Sequence, residues 1–286
     1  MQRVRSCGER VTRRAGLPAA HPLERASVAG GAGARNGGVT ASMPVPFTNI
    51  YDDDARARAY ARLEFPGTYH LAFRDIPAML ERHVRGSTAL DFGCGAGRSS
   101  RFLKRLGFDV LGVDIAATML GEARVRDPEG SYLLVSGNEW EALQGRRFDL
   151  VFSAFTFDNI PDREARRELV QRLANCLSPA GCFVNLVSSP DIYLHEWLSF
   201  STTAFPENRR AQSGDVVRIV MRDMPELGTV IDVLWTDADY RELYDAAGLQ
   251  IAEVHRPLGR KEDPYAWVSE TAVAPWTIYM LARATR

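Results

Sequence analysis

"TALDFGCGAGRSSRFL", residues 88–103, decides how the rest of the chain is read. Thr88 to Phe92 is a short, largely apolar run with the character of a strand. Gly93, Gly95 and Gly97 follow at alternate positions, and a helical pattern begins at Arg98. A strand, a glycine-rich turn and a helix N-terminus together aim backbone N–H groups at a ligand. Dinucleotide-binding turns space their glycines G-x-G-x-x-G, whereas here the third glycine arrives one residue early. Asp91 stands inside the apolar run, two residues before the first glycine. A carboxylate at that point repels a pyrophosphate and favours a cation.

Outward from this turn, apolar runs alternate with helical patterns. Strands are expected at 88–92, 109–113, 131–135, 148–154 and 181–187, with helices at 98–106, 116–126 and 162–177. Gly107 ends the first of these helices and Pro161 opens the last. Such alternation predicts parallel βαβ units in an α/β, doubly wound sheet. Upstream, a charged helix is expected from residue 52 and an amphipathic one at 69–84. Downstream, 191–215 is aromatic and irregular, and "VVRIVM" (216–221) and "VIDVLW" (230–235) read as a hairpin. A helix at 237–247, with Thr236 before it and Gly248 after it, precedes two final strands, "QIAEVHR" and "WTIYMLA".

The 286 residues are 45% hydrophobic and 25% charged, the balance of an ordinary globular chain. No stretch approaches the roughly 18 apolar residues of a membrane span. A net charge of −1 gives no global field for nucleic acid. Cys7, Cys94, Cys176 and Cys182 form no C-x-x-C pair, which fits a reducing, cytoplasmic setting. Residues 1–44 are rich in Arg, Ala and Gly without hydrophobic period, so a disordered extension is expected, with Met43 an alternative start and the folded domain at 45–286.

The segment "ALDFGCGAGRSSRFL" resembles motif I of class I methyltransferases that use S-adenosylmethionine (SAM), whose sulfonium and ammonium make it cationic. Later motifs continue the resemblance in order: "DVLGVDIAATML", "LLVSGNEW", "FDLVFSAFTFDNIP" and "LSPAGCFVNLV". It implies a Rossmann-like seven-stranded sheet of order 3-2-1-4-5-7-6, the last strand antiparallel, with an insertion after the fifth strand. It implies SAM as cofactor, with S-adenosylhomocysteine as product. The cofactor residues so implied are Asp91, Gly93, Cys94, Gly95, Gly97, Arg98, Asp114, Ile115, Met119, Asn138, Glu139, Ser153 and Phe155. Asp114 ends the second strand, where an acid takes the ribose hydroxyls, and Asn138 stands at the adenine position.

For the acceptor, the fourth-strand motif has neither N-P-P-Y nor a Pro-Cys pair. Phe157, Asn159, Tyr193 and Trp197 are the candidate acceptor contacts, although the i, i+4 spacing of Tyr193 and Trp197 is more often that of core residues. His195 and Asp158 are the candidate bases, with Glu196 beside them. The segment "HEWLS" lacks the second His of a zinc helix, and no metal site is expected. Residues 191–235 are expected to cover the acceptor as a lid. The reading is methyl transfer to an N or O nucleophile on a small molecule, in bacterial secondary metabolism, by a monomer or homodimer that engages neither membrane nor nucleic acid. Alternatives are a tRNA, rRNA or protein methyltransferase, a non-catalytic SAM binder and an NAD-dependent oxidoreductase.

Overall fold

The computed structural model describes residues 54–284; the expected N-terminal extension at 1–44 and Cys7 lie outside the described residues. Among the described residues, the principal sheet has seven strands. These are β1 (Thr88–Phe92), β2 (Asp109–Asp114), β3 (Ser131–Leu134), β4 (Phe148–Ala154), β5 (Leu177–Ser188), β9 (Leu249–His255) and β10 (Trp276–Arg283). They lie in the order β3-β2-β1-β4-β5-β10-β9. The first five pair in parallel, and β10 runs antiparallel to both β5 and β9. The expected sheet order and final reversal are therefore present.

The helices are α1 (Asp54–Ala61), α2 (Thr68–Arg74), α3 (Ile76–His83), α4 (Arg98–Arg105), α5 (Ala117–Arg126), α6 (Arg163–Asn175) and α7 (Asp237–Ala246). One apolar core lies between the sheet and α2–α3, and includes Leu71, Ile76, Phe152 and Ile278. A second lies under α6–α7, and includes Phe183, Leu173, Tyr244 and Leu281. Burial on both faces is why β4 and β5 read as continuous apolar runs.

The single helix expected at 69–84 is two, because Pro77 has no N–H to donate to Phe73 and the ladder breaks at Asp75. Asp75 at that corner is held by Arg74, at 2.8 Å, and by His255, at 2.9 Å. The fifth strand starts four residues earlier than expected, at Leu177. Its register against β4 shifts between Phe148 and Leu150, so the S-P-A-G stretch is accommodated as a bulge.

After β5 the chain forms a second, antiparallel sheet from β6 (Phe200–Ser201), β7 (Val216–Met221) and β8 (Thr229–Val233), in that order. The expected hairpin is the β7–β8 pair, with Val216 opposite Val233 and Val220 opposite Thr229. The expected helical spacing of Tyr193 and Trp197 is not present. Pro190–Tyr193 is a 3-10 turn, and the chain leaves it before Trp197, whose indole N–H returns to the Ile192 carbonyl at 2.8 Å.

Candidate functional site

The glycine turn sits at the C-terminal end of β1. Gly93, Gly95 and Gly97 have φ of +70°, +53° and +77°, a region that a Cβ penalises. A Cβ on Gly93 would lie 2.1 Å from the Thr156 hydroxyl, and one on Gly97 2.6 Å from that of Tyr132. The Gly93 and Cys94 N–H groups donate to the Val113 carbonyl at 2.8 and 3.0 Å, tying the turn to β2. Asp114 reinforces that tie, accepting from the Gly95 N–H and the Ala116 N–H, each at 2.8 Å. Ile115, next to it, is 47% exposed, an apolar side chain left open beside the turn. Met119 is buried, and its methyl group faces Gly95. Cys94 is buried, and burial pushes its thiol well above the usual range, so it is no nucleophile.

Asp91 is fully buried beneath the turn. Its Oδ2 accepts from the Ser99 and Ser100 hydroxyls at 2.7 and 2.6 Å, whereas Oδ1 has no hydrogen-bond partner among the described residues. Desolvation outweighs the two serine bonds and raises the carboxyl to about 6. A buried carboxylate with one orphan oxygen, beside three glycine backbones, fits a group that carries positive charge.

Ser153 lies on β4, fully buried, with its hydroxyl also unpartnered among the described residues. Asn138 and Glu139 fall in the 3-10 segment Gly137–Leu143, and their side chains lie outside the described residues.

Past β4 the chain makes a strained step. Phe155 has φ of +61°, unusual for an aromatic residue, and its N–H donates to the Leu186 carbonyl at 2.9 Å. The step turns Phe155 into a cavity between the principal sheet and the β6–β8 sheet. Asp158, Asn159, Tyr193, Ser188, Tyr69 and Trp276 share its wall, and β7 and β8 contribute Ile219, Met221, Val230 and Asp232. The cavity has about 60 Å³ of free space, above the ~10–15 Å³ that one water needs. Phe155 packs against Trp276 and Tyr69, with ring centroids 4.8 and 5.6 Å away.

Asp158, 4% exposed, accepts the Ser188 N–H at 2.9 Å and the Tyr240 hydroxyl at 3.2 Å. Asp232, 9% exposed, accepts the Tyr193 hydroxyl at 3.0 Å. Burial raises both carboxyls, and the charge of Asp158 raises Asp232 further. Sequence reading missed Asp232 and the rings of Tyr69 and Trp276. The one available signal for Asp232 was an acid within the run "TVIDV".

Other candidates fall elsewhere. Phe157 is fully buried against Phe92, with centroids 6.0 Å apart, in the second core. Trp197 is fully buried and is absent from the cavity wall. His195 is half-buried beside Trp197, also off that wall. Glu196 accepts the Thr202 and Thr203 N–H groups and pairs with Arg222, which ties the chain before β6 to the chain that leaves it. Arg98 does not stop at the turn. Its guanidinium lies 5.0 Å from the Tyr69 ring and 5.8 Å from that of Phe155.

This sheet order, with a glycine turn after β1 and an acid ending β2, is the Rossmann-like fold of class I methyltransferases. Residues 89–181 match the family model described as a methyltransferase domain. That stretch of the chain is thus similar to methyltransferase domains. A ubiquinone biosynthesis O-methyltransferase of Xanthomonas oryzae pv. oryzae is 32% identical over 102 residues, 34% of this chain and 41% of that protein. The chain thus matches less than half the length of this relative. A trans-aconitate 2-methyltransferase of Paracidovorax citrulli is 24% identical over 219 residues, 72% of this chain and 74% of that protein. The crystal structure of an S-adenosylmethionine-dependent methyltransferase from Clostridium acetobutylicum is similar in fold, with TM-score 0.52 and 15% identity, covering 82% of this chain and 97% of that one. No helix among the described residues is long and apolar enough to cross a membrane.

Proposed function

We propose that this chain transfers a methyl group from SAM to a small molecule. The observation that carries the reading is the orphan Oδ1 of buried Asp91 beneath a turn of three positive-φ glycines. When bound, SAM supplies an already activated methyl group. The protein's share is then alignment and exclusion of water, and alignment alone provides roughly 7–11 kcal/mol. Asp91 would favour the cationic methionine end, Gly93, Gly95 and Gly97 would permit close approach, and Asp114 would take the ribose. Ile115 and Met119 would pack against the nucleoside. The cavity beyond Phe155 would hold the acceptor, covered by the segment at 191–235. Asp158 and Asn159, which line it, would face that acceptor, as would Tyr193.

The relatives' names point the same way, since both denote enzymes that methylate small molecules. A bacterial secondary-metabolic setting and a monomer or homodimer belong to this reading. So does a cytoplasmic one, supported by the free Cys94, Cys176 and Cys182. Titration calorimetry with SAM tests it. The wild type should bind SAM, and Asp114→Ala should weaken binding at least tenfold. Unchanged affinity in that variant would remove the ribose assignment, and absence of binding in the wild type would remove the reading.

A further inference from the structure

The cavity wall combines two kinds of group: the rings of Tyr69, Phe155, Phe200 and Trp276, and the carboxyls of Asp158 and Asp232. No Arg, Lys or His is among the described residues that line it. Buried acids and aromatic faces lining one cavity form a surface that recognises a cation. The Tyr69 and Phe155 rings already attract one, the Arg98 guanidinium.

The two acids are not equivalent. Asp158 has both oxygens hydrogen-bonded, and the positive charge of Arg166 acts on it. Among the described residues, Asp232 has only Oδ2 engaged, by Tyr193, and no cation offsets its charge. Its Oδ1 has no hydrogen-bond partner among the described residues, although the residue is 9% exposed and lines the cavity. A carboxylate so placed lacks a countercharge that the protein does not provide.

Resting on the methyltransferase reading of this site, we propose that the acceptor is a small amine. It binds as its ammonium between Asp232 and the aromatic wall, and Asp232 takes its proton. The ammonium gives one proton to the Asp232 carboxylate, leaving a neutral amine with a free lone pair. The nitrogen then takes the methyl group, its new N–C bond forming as the donor's C–S bond breaks and leaves its electron pair on sulfur. The product is a methylated ammonium, and Asp232 returns its proton to water. An acceptor that is itself a carboxylate meets two acids and no base, so it is disfavoured here.

Binding to the full-length protein saturated with S-adenosylhomocysteine tests this, with ring fluorescence as readout. The probes are 2-phenylethylamine, 2-phenylethanol and 3-phenylpropionate, with tyramine and catechol for a phenolic acceptor. The amine should bind at least tenfold tighter than the alcohol and the carboxylate. Its affinity should rise with pH as Asp232 ionises, against the fields of Asp158 and the hydroxyls of Tyr193, Tyr60 and Tyr69 that share the wall, with Arg166 and Tyr240 beyond Asp158. Asp232→Asn should cost the amine at least tenfold and leave SAM affinity within twofold. The wild-type pH series and probe ranking stand without any variant, should Asp232→Asn fail to fold. Equal or tighter binding of carboxylate, alcohol or catechol would overturn the proposal, as would a folded Asp232→Asn protein that keeps its amine affinity. Loss of SAM binding in the wild type would instead remove the methyltransferase reading.

Discussion

Asp91 carries a charge that costs the fold, and on the proposed reading that charge serves the fit to SAM. An unfolded chain leaves an aspartate near pKa ~3.9, whereas burial holds this one at about 6. The folded state therefore binds the proton more tightly, and stability falls as pH rises from about 4 to 6 and then levels. A shift of about two units corresponds to roughly 3 kcal/mol at neutral pH. Asp91→Asn should accordingly gain about 1–3 kcal/mol at pH 7.5 and almost nothing at pH 4, as read from urea melts at the two pH values. The same variant should bind SAM more weakly, by calorimetry. A gain independent of pH, or undiminished SAM affinity, would mean that the charge is not what the site stores there.

At the scale of elements, the α7 start shows a local signal read correctly. Thr236 accepts the Asp239 N–H at 3.3 Å, and Asp239 accepts the Thr236 N–H at 2.8 Å, a reciprocal capping box. Asp239 also holds Arg163 at 2.8 Å and Ser213 at 2.6 Å, so the cap joins α6 and the β6–β8 sheet. Thr236→Ala should cost about 0.5–2 kcal/mol in a denaturant melt, with the larger value if the loosened Asp239 also releases those partners. The principal sheet was legible for the same reason: strand, turn and cap chemistry is written within a few residues. The split of α2 from α3 was masked because both helices continue one apolar stripe, and only Pro77 marks the corner. Asp232 was illegible because its role comes from Tyr193, 39 residues away, across a turn that periodicity does not describe. Trp197 was a candidate through its place in the insertion, whereas its i, i+4 spacing with Tyr193 pointed to core packing, where it lies although no helix joins the two.

At the scale of the molecule, separate parts of the chain meet around the cavity proposed for the acceptor, and Glu270 fastens them. It is fully buried. Its Oε1 accepts the Thr68 hydroxyl at 2.6 Å and the Leu198 N–H at 2.8 Å, and its Oε2 accepts the Val268 N–H at 2.8 Å. One carboxylate thus joins the start of α2, the chain that enters β6, and the loop that leads to β10. Those three segments carry Tyr69, Phe200 and Trp276, the ring wall of the cavity. The Trp276 indole adds a bond to the Thr68 carbonyl at 2.9 Å, which closes the same corner. Glu270→Ala strands buried donors and should cost about 2–4 kcal/mol, measured by urea melts. Glu270→Gln retains an acceptor for Thr68 and Leu198 and should fall between that variant and the wild type. The glycine turn takes no bond from Glu270, so SAM affinity should change less than twofold in Glu270→Gln, while acceptor affinity drops severalfold. An equal loss at both ligands would mean that Glu270 supports the whole domain and not the acceptor wall in particular.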